Sequence, residues 1–394
     1  MLASSRYILP QENIKTESLK LVNLISSLKD EEEGNAPYYS ELLDLLENDK
    51  VADAFSKIVE ETDLILSKIK SERDLESIFN LEIAICVKSN LKDLLIRLAN
   101  IVSESQNGKP SRKMKILKNI YSNLEINDSL RYDVYLAIVK YSAKNDYMDI
   151  ILNHLVHLDL WLKNWNATVE QKRELFLTLR NLLNESGHPM EAYECLFKYL
   201  LTFENADANT LNSSKDNARE AIKDAINNEN IFNFEELLKL NAIQNLSSEP
   251  SFELAKVFLS GDINEYQSFV SSHNNILSEL SLDGDECSKK IRMLTLVSVV
   301  GNEIPGRVSY SAVQEALNIP EEEVELWILD VIRAGLIDAK MNQLDKTIIV
   351  NRATPRQFTE NEWKKLDTRI DEWKNNLKDI LKVIANAKLI AQSH

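Results

Sequence analysis

With 394 residues, the chain is longer than the roughly 250–300 residues over which one hydrophobic core grows, so two domains or a repeat array with a terminal domain are expected. Its formal net charge of -16 at pH 7 excludes a general polyanion-binding protein, because nonspecific affinity for nucleic acid comes from basic residues that neutralise phosphates. Only eight glycines and eight prolines are present, which favours long helices over frequent turns.

The cysteines and the apolar segments predict a soluble intracellular protein with reduced thiols, in the cytosol or the nucleus. Cys86, Cys195 and Cys287 are odd in number and widely spaced, so neither a disulfide framework nor a zinc ribbon is expected. The first residues lack a basic start followed by an apolar core, so no secretory signal is predicted. The apolar runs are also far shorter than the roughly 20 residues that span a bilayer. We therefore expect no membrane attachment.

Residues 1–285 are predicted to be mostly α-helical and to form a right-handed helical-repeat solenoid. From about Glu17 to Leu280, apolar residues recur at steps of three and four, the period of an amphipathic helix. Short polar breaks such as EEEGNAP and NESGHP separate these segments, and their lengths suit helix hairpins packed side by side. No strict repeat period is visible, so the prediction depends on the succession of helices. Clear examples of the spacing are Leu91, Leu94, Leu95 and Leu98, and later Leu175, Leu179, Leu182 and Leu183.

Residues 286–358 are predicted to form a winged helix, since helix and strand patterns mix there. The order is helix, short extended piece, helix, helix, strand, turn, strand. Pro320 is expected in the first turn of the third helix, and Gly335 is expected to end that helix in the left-handed conformation. From Ile337 to Met341, apolar and polar residues alternate, which predicts the first strand of a hairpin.

The return strand of this hairpin is predicted to offer an edge that binds a partner. A run of β-branched residues is typical of such a strand. An unpaired strand edge can hydrogen-bond with a strand of another chain. The residues expected at the edge are Thr347, Ile348, Ile349 and Val350.

The charges of the winged helix favour protein binding over nucleic-acid binding. Many winged helices place their third helix in the major groove of DNA. Nine basic and nine acidic residues lie between Lys289 and Arg356, and the third helix begins with Glu321, Glu322 and Glu323. Because phosphates repel an acidic helix, a nucleic-acid-binding regulator is the less favoured alternative. Direct contact with RNA stays open.

Residues 359–394 are predicted to form one long helix with four unbroken heptads. With Trp363 at position a, the a and d positions form an apolar stripe that is typical of a helix packed against partner helices. Folding back on its own domain is the alternative. The predicted partner-binding residues of this stripe are Trp363, Leu366, Ile370, Trp373, Leu377, Ile380 and Ile384.

We predict no catalytic, metal-binding or cofactor-binding residues, and therefore no enzyme. The sequence contains no phosphate-binding glycine loop, no HExxH and no GxSxG. His154 and His157 lie close to Asp159, but no further histidine or cysteine follows at the spacing of metal ligands. We interpret these histidines as packing or surface residues.

The C-terminal third resembles a known family. The segment LTLVSVVGNEIPGRVSYSAVQEALNIPEEEVELWILDVIRAGLIDAKMNQ is similar to the PCI module of scaffold subunits in the proteasome lid, the signalosome and eukaryotic translation initiation factor 3. The tail is more specific and resembles the subunit M family of initiation factor 3. The residues that carry this second resemblance are Val350, Asn351, Arg356, Gln357, Phe358, Trp363, Leu366, Trp373, Lys374, Asn376 and Leu377.

The resemblance implies a noncatalytic scaffold subunit of initiation factor 3. Its partners are expected to be other PCI-containing subunits, joined through winged-helix sheets into an arc and through C-terminal helices into a bundle. Contact with the small ribosomal subunit is expected through the complex, in support of translation initiation. A scaffold subunit of the signalosome or of the proteasome lid is the alternative within the family.

Overall fold

The computed structural model describes residues 14–33, 37–48, 50–273, 275–302 and 306–392. The chain divides into two compact units, residues 1–195 and residues 196–394. The predicted boundary after residue 285 falls inside the first turn of a helix that begins at Gly284. The predicted division into 1–285, 286–358 and 359–394 therefore stays a prediction.

The first unit consists of helices that stack in succession. Along the chain, α5 packs on α7 and α6 packs on α8, while neighbouring helices also touch each other. This arrangement is the helix-hairpin packing of a helical repeat. The helices are α1 (Ile14–Glu33), α2 (Pro37–Glu47), α3 (Val51–Glu60), α4 (Thr62–Lys68), α5 (Glu72–Lys88), α6 (Lys92–Glu104), α7 (Pro110–Asn123), α8 (Leu130–Lys144), α9 (Met148–Leu155), α10 (Leu158–Asn164), α11 (Val169–Glu185) and α12 (Pro189–Leu201), which continues into the second unit.

Local sequence signals set several of these helix ends. Thr168 and Gln171 form a reciprocal capping box at the start of α11. The hydroxyl of Thr168 accepts from the Gln171 backbone, and the Gln171 side chain accepts from the Thr168 backbone. Both donors are otherwise without a partner at a helix start, so the pair fixes where α11 begins.

A cluster of aromatic rings fills the core around α8, α9 and α10. His154 is buried within it, with its ring centroid 5.2 Å from that of Trp161 and 6.1 Å from that of Tyr135. Burial lowers the pKa of His154 to about 4, so the imidazole is neutral at pH 7. This contact set is that of a packing histidine. Within the described ranges, no three His, Cys, Asp or Glu side chains are placed to hold a metal ion.

The second unit begins with short helices and ends with the winged helix. Its first helices are α13 (Ala208–Ser213), α14 (Lys215–Asn227), α15 (Glu235–Lys239), α16 (Asn241–Gln244), α17 (Pro250–Ser260), α18 (Ile263–Ser272) and α19 (Ile276–Glu279). The winged helix and tail comprise α20 (Gly284–Asn302), β1 (Gly306–Ser309), α21 (Tyr310–Leu317), α22 (Val324–Arg333), β2 (Ile337–Asn342), β3 (Thr347–Ala353) and α23 (Glu360–Gln392). The predicted order of elements is confirmed.

The sheet places the predicted partner-binding strand in its centre. The strand order is β1-β3-β2, with both pairings antiparallel. Ile349 lies opposite Arg307 of β1 on one side and Lys340 of β2 on the other. The prediction that Thr347, Ile348, Ile349 and Val350 form a free edge is therefore wrong. The short strand β1 hydrogen-bonds to the side of β3 that the sequence analysis had predicted to be free.

The same strand supplies the core of the winged helix. Ile348 and Val350 are buried with Val308 of β1 and with Val324 and Ile328 of α22. The β-branched run thus marks a central strand with one face buried, because Ile348 and Val350 alternate with the partly exposed Thr347 and Ile349.

The turns around α22 differ from the sequence prediction in one detail. Gly335 ends α22 with a φ of +71°, as predicted. Pro320, however, is extended and precedes a single 3-10 turn at Glu321–Glu323, so α22 starts only at Val324. The amide of Glu323 donates to the Pro320 carbonyl, which completes this tighter turn.

No helix in the described part of the chain combines the length and the apolar character needed to cross a bilayer. The three cysteines are free thiols and all are buried. Burial raises the pKa of Cys287 to about 11, so this thiol is protonated at pH 7 and chemically inert.

The buried carboxyl of Glu82 in α5 predicts a pH-dependent stability. Neither carboxylate oxygen has a hydrogen-bond partner among the described residues, and burial raises the pKa to about 8. The unfolded chain releases this proton at a lower pH than the folded chain, so stability falls as pH rises from about 4.5 to about 8. Glu82→Gln is expected to raise the free energy of unfolding at pH 8 by about 1–3 kcal/mol more than at pH 5, measured by urea unfolding.

The matched control is Glu72→Gln, which changes an exposed glutamate at the start of the same helix. It should alter stability equally at both pH values. An equal effect of Glu82→Gln at pH 5 and pH 8 contradicts the prediction.

Candidate protein interface

The long C-terminal helix α23 presents an apolar stripe to solvent. All seven predicted positions of this stripe are exposed, with Trp363 at 61% and Trp373 at 73%. We call these residues the α23 seam: Trp363, Leu366, Ile370, Trp373, Leu377, Ile380 and Ile384. Since none of them is buried, the helix does not fold back on the described part of its own chain. An exposed apolar stripe of this length is typical of a protein-binding surface.

Two residues next to the α23 seam were missed by the sequence analysis. Leu381 and Val383 are also exposed, at the e and g positions of the heptad. In helix bundles these positions flank the a and d stripe, so apolar residues there widen the contact surface. The heptad numbering could have identified them, because both follow from the register that starts at Trp363.

Charged residues on the remaining surface of α23 support the helix. Lys364 pairs with Glu360 at 2.8 Å, and Lys382 pairs with Asp379 at 3.0 Å. Exposed pairs one turn apart contribute only about 0.3–0.5 kcal/mol each. These charged residues keep the rest of the helix surface hydrophilic. The apolar residues of the α23 seam stay exposed, where a partner can bury them.

Arg356 holds the junction between β3 and α23. Its guanidinium donates to the carbonyls of Phe258 (2.6 Å), Gly261 (2.8 Å) and Val257 (3.2 Å) and to the hydroxyl of Ser298 (3.3 Å). The three carbonyls lie at the C-terminal end of α17, where helix carbonyls run short of intrahelical donors; that of Val257 also accepts from the Gly261 amide at 2.8 Å. Burial lowers the pKa of Arg356 to about 10, so it stays charged at pH 7.

Phe358, two residues after Arg356, also attaches the start of α23 to the second unit. The backbone amide of Phe358 donates to Glu235 Oε2 at 2.8 Å, and Glu235 also pairs with Lys239 at 2.6 Å. The ring of Phe358 meets Trp363 edge-on, with centroids 4.8 Å apart. The start of α23 is therefore fixed by an arginine, an amide and an aromatic contact.

Lys290 has a similar structural role, which the sequence analysis did not anticipate. Its ammonium donates to the carbonyls of Ala225 (2.6 Å), Asn228 (2.6 Å) and Ile226 (3.2 Å), at the C-terminal end of α14. Burial lowers the pKa of Lys290 to about 7, an effect that the nearby side chains of Cys287 and Glu229 oppose. Neither Lys290 nor Arg356 is available to a phosphate backbone, so two of the nine basic residues drop out of the count for the winged helix.

The junction predicts a local effect of removing Arg356. Arg356→Ala leaves the α17 carbonyls without their charged donor and is expected to lower the free energy of unfolding by about 1–3 kcal/mol. Hydrogen exchange of the Phe358 amide should become faster, because its bond to Glu235 loses its neighbouring support. Arg352→Ala, at an exposed arginine in β3 just before this junction, is the control and should change neither quantity. Unchanged Phe358 exchange in Arg356→Ala contradicts this role.

Two family models match the C-terminal part of the chain. The PCI domain family matches residues 270–352, and the family described as eIF3 subunit M, C-terminal helix, matches residues 356–384. The second match starts at Arg356, so it comprises the junction and most of α23.

Relatives across eukaryotes share most of the chain. Subunit M of eukaryotic translation initiation factor 3 from Dictyostelium discoideum is 30% identical over 356 residues, covering 87% of each chain. The protein of the same name from Phaeosphaeria nodorum is 33% identical over 74% of this chain and 66% of its own. That from Nematostella vectensis is 26% identical over 78% of this chain and 82% of its own. The chain belongs to the family of eukaryotic translation initiation factor 3 subunit M.

Proposed function

We propose that this chain is a noncatalytic scaffold subunit of initiation factor 3, which acts in the cytoplasm and supports initiation on the small ribosomal subunit through the complex. The observation that carries the proposal is the exposed α23 seam in a helix that matches the C-terminal helix of subunit M. Its partners are other PCI-containing subunits of the factor.

The α23 seam has enough apolar surface to hold the subunit in a helix bundle. Burying one large apolar side chain contributes about 1.5–3 kcal/mol, and seven such residues lie on one stripe. Association costs on the order of 4–15 kcal/mol in lost motion, so most of the stripe must be buried for stable assembly. This requirement explains why the heptads continue without a break.

The winged helix supplies a second contact, and the sheet order changes which strands offer it. Because β3 is central, the outer edges of the described sheet belong to β1 and β2. Asp338 and Lys340 on β2 are exposed, and charged residues on an edge strand limit indiscriminate pairing. We therefore propose that one of these two edges pairs with another PCI subunit.

Lys290 and Glu82 have strongly shifted pKa values, and the surroundings of both residues agree with a scaffold role. Lys290 lines a cavity of about 280 Å³, but its ammonium is already bound by three carbonyls. Glu82 lies in a closed core. Neither group has the accessible, unoccupied position that a general acid or base requires.

Affinity purification of the tagged chain, followed by mass spectrometry, tests the assignment to a complex. We expect other subunits of initiation factor 3 and small-subunit ribosomal proteins. Recovery of signalosome or proteasome-lid subunits alone overturns the proposal.

Substitution in the α23 seam tests the bundle contact. Trp373→Ala with Leu377→Ala removes two central, exposed side chains and should release the chain from the complex, because the lost burial is worth about 3–6 kcal/mol. The unbound chain should keep its thermal stability, since neither side chain packs on the described fold. Co-purification with the tagged chain is the measurement.

The matched control is Asn375→Ala with Lys378→Ala, at the f and b positions on the opposite side of α23. This variant should co-purify as well as the unchanged chain. Equal recovery of complex by both double variants argues against the bundle contact.

A further inference from the structure

The tip of the β2-β3 hairpin lies against the start of α22 and forms one continuous surface with it. Gln343 Nε2 donates to Glu325 Oε2 at 2.9 Å, and Lys346 Nζ pairs with Glu321 at 2.5 Å. Glu325 also accepts from the hydroxyl of Tyr310 at 3.3 Å. Two polar contacts thus join the hairpin tip to the start of α22, and Tyr310 of α21 holds Glu325 in place.

Two exposed leucines flank these polar contacts. Leu326 follows Glu325 on α22 and is 62% exposed, and Leu344 follows Gln343 at the hairpin tip and is 96% exposed. Gln343 and Glu325 are hydrogen-bonded, so each leucine is next in sequence to one member of this pair. We call the surface of Leu326, Leu344, Glu322, Glu323 and Glu325 the helix–wing face.

The turn itself does not need a leucine. Asn342 Nδ2 donates to Asp345 Oδ2 at 2.9 Å, and the Asp345 amide donates to Asn342 Oδ1 at 3.3 Å. These side-chain bonds stabilise the turn, and tight turns otherwise favour small or polar residues. A leucine that contributes nothing to the fold, at an exposed tip, is typical of a residue that anchors a partner.

The charge around the two leucines is negative. Five carboxylates lie at the hairpin tip and the start of α22. One of them, Glu321, is paired with Lys346. The carboxylates are Glu321, Glu322, Glu323, Glu325 and Asp345. A nucleic acid is repelled by this surface, and so is the same face of a second copy of the chain.

We propose that the helix–wing face docks a basic segment of a partner protein. Apolar side chains of that segment contact Leu326 and Leu344, and its lysines or arginines pair with Glu322 and Glu323. The carboxylates accelerate association, because opposite charges steer encounter, and the leucines slow dissociation by burying apolar surface. This site is distinct from the α23 seam and from the sheet edges, so it serves a different partner from the helix bundle.

Binding of a defined probe to the full-length chain tests the chemistry of the face. The probe is a short fluorescein-labelled peptide in which leucines alternate with pairs of lysines, and the readout is fluorescence anisotropy. Leu326→Ser with Leu344→Ser should weaken binding by about tenfold or more, because two exposed anchors are removed without disturbing the core. Glu322→Gln with Glu323→Gln should lower the association rate and its dependence on salt.

The matched control is Leu160→Ser, which removes a leucine of similar exposure (59%) from the first unit. It should leave binding unchanged, which separates the face from general attraction to an acidic chain. A peptide with glutamate in place of lysine should not bind. Equal loss in the control, or none in the double leucine variant, overturns the proposal.

Crosslinking within the purified complex identifies the natural occupant. Leu344→p-benzoylphenylalanine, activated by light, should attach to a protein segment with more lysine and arginine than aspartate and glutamate. A crosslink to RNA, to an acidic segment or to a second copy of the chain, or no crosslink, overturns the proposal. The same crosslink, formed in a cell extract by a chain that also carries Trp373→Ala and Leu377→Ala, supports this site independently of the bundle contact.

Discussion

The charged bonds of Arg356 to the end of α17 are the constraint on which the C-terminal part of the chain depends. One planar guanidinium meets three carbonyls at the C-terminal end of α17, shortly after the last strand of the winged helix. The strand, the end of α17 and the start of α23 are thereby fixed together. Without this link, the polypeptide between β3 and α23 has few other attachments, of which the Phe358 amide is the clearest.

Two basic side chains inside the second unit help to explain why the exposed face of the winged helix is negative. Arg356 is charged at pH 7 and neutralises the negative end of α17, while the amine of Lys290 donates to the carbonyls at the end of α14. Both basic side chains are bound to carbonyls inside the second unit, while acidic side chains remain at the start of α22 and at the hairpin tip. A winged helix with balanced composition therefore presents a negative face, because position, and not residue count, decides which charges a partner meets.

Much of the fold followed from local patterns in the sequence. Apolar spacing gave the helices, the left-handed Gly335 marked the end of α22, and the resemblance to the subunit M family is confirmed by relatives over most of the chain. The pairing of strands did not follow, because β1 has only four residues and its place beside β3 is a tertiary property. The roles of Lys290, Arg356 and Glu82 were also hidden, since a charged residue shows its burial only when distant segments meet. The α23 seam was predictable because a heptad pattern needs no tertiary information, and its exposure agrees with that prediction.

The exposed tryptophans of α23 carry a consequence for the life of the protein in the cell. On the proposed assembly, a newly made copy that has not met its partners displays the apolar surface that chaperones and proteases recognise in misfolded chains. On that assembly, the exposed stripe would distinguish orphan copies from assembled ones and expose the excess copies to degradation. Stoichiometry of the complex is then enforced by degradation, with the same side chains serving as the binding surface in one state and as a degradation signal in the other.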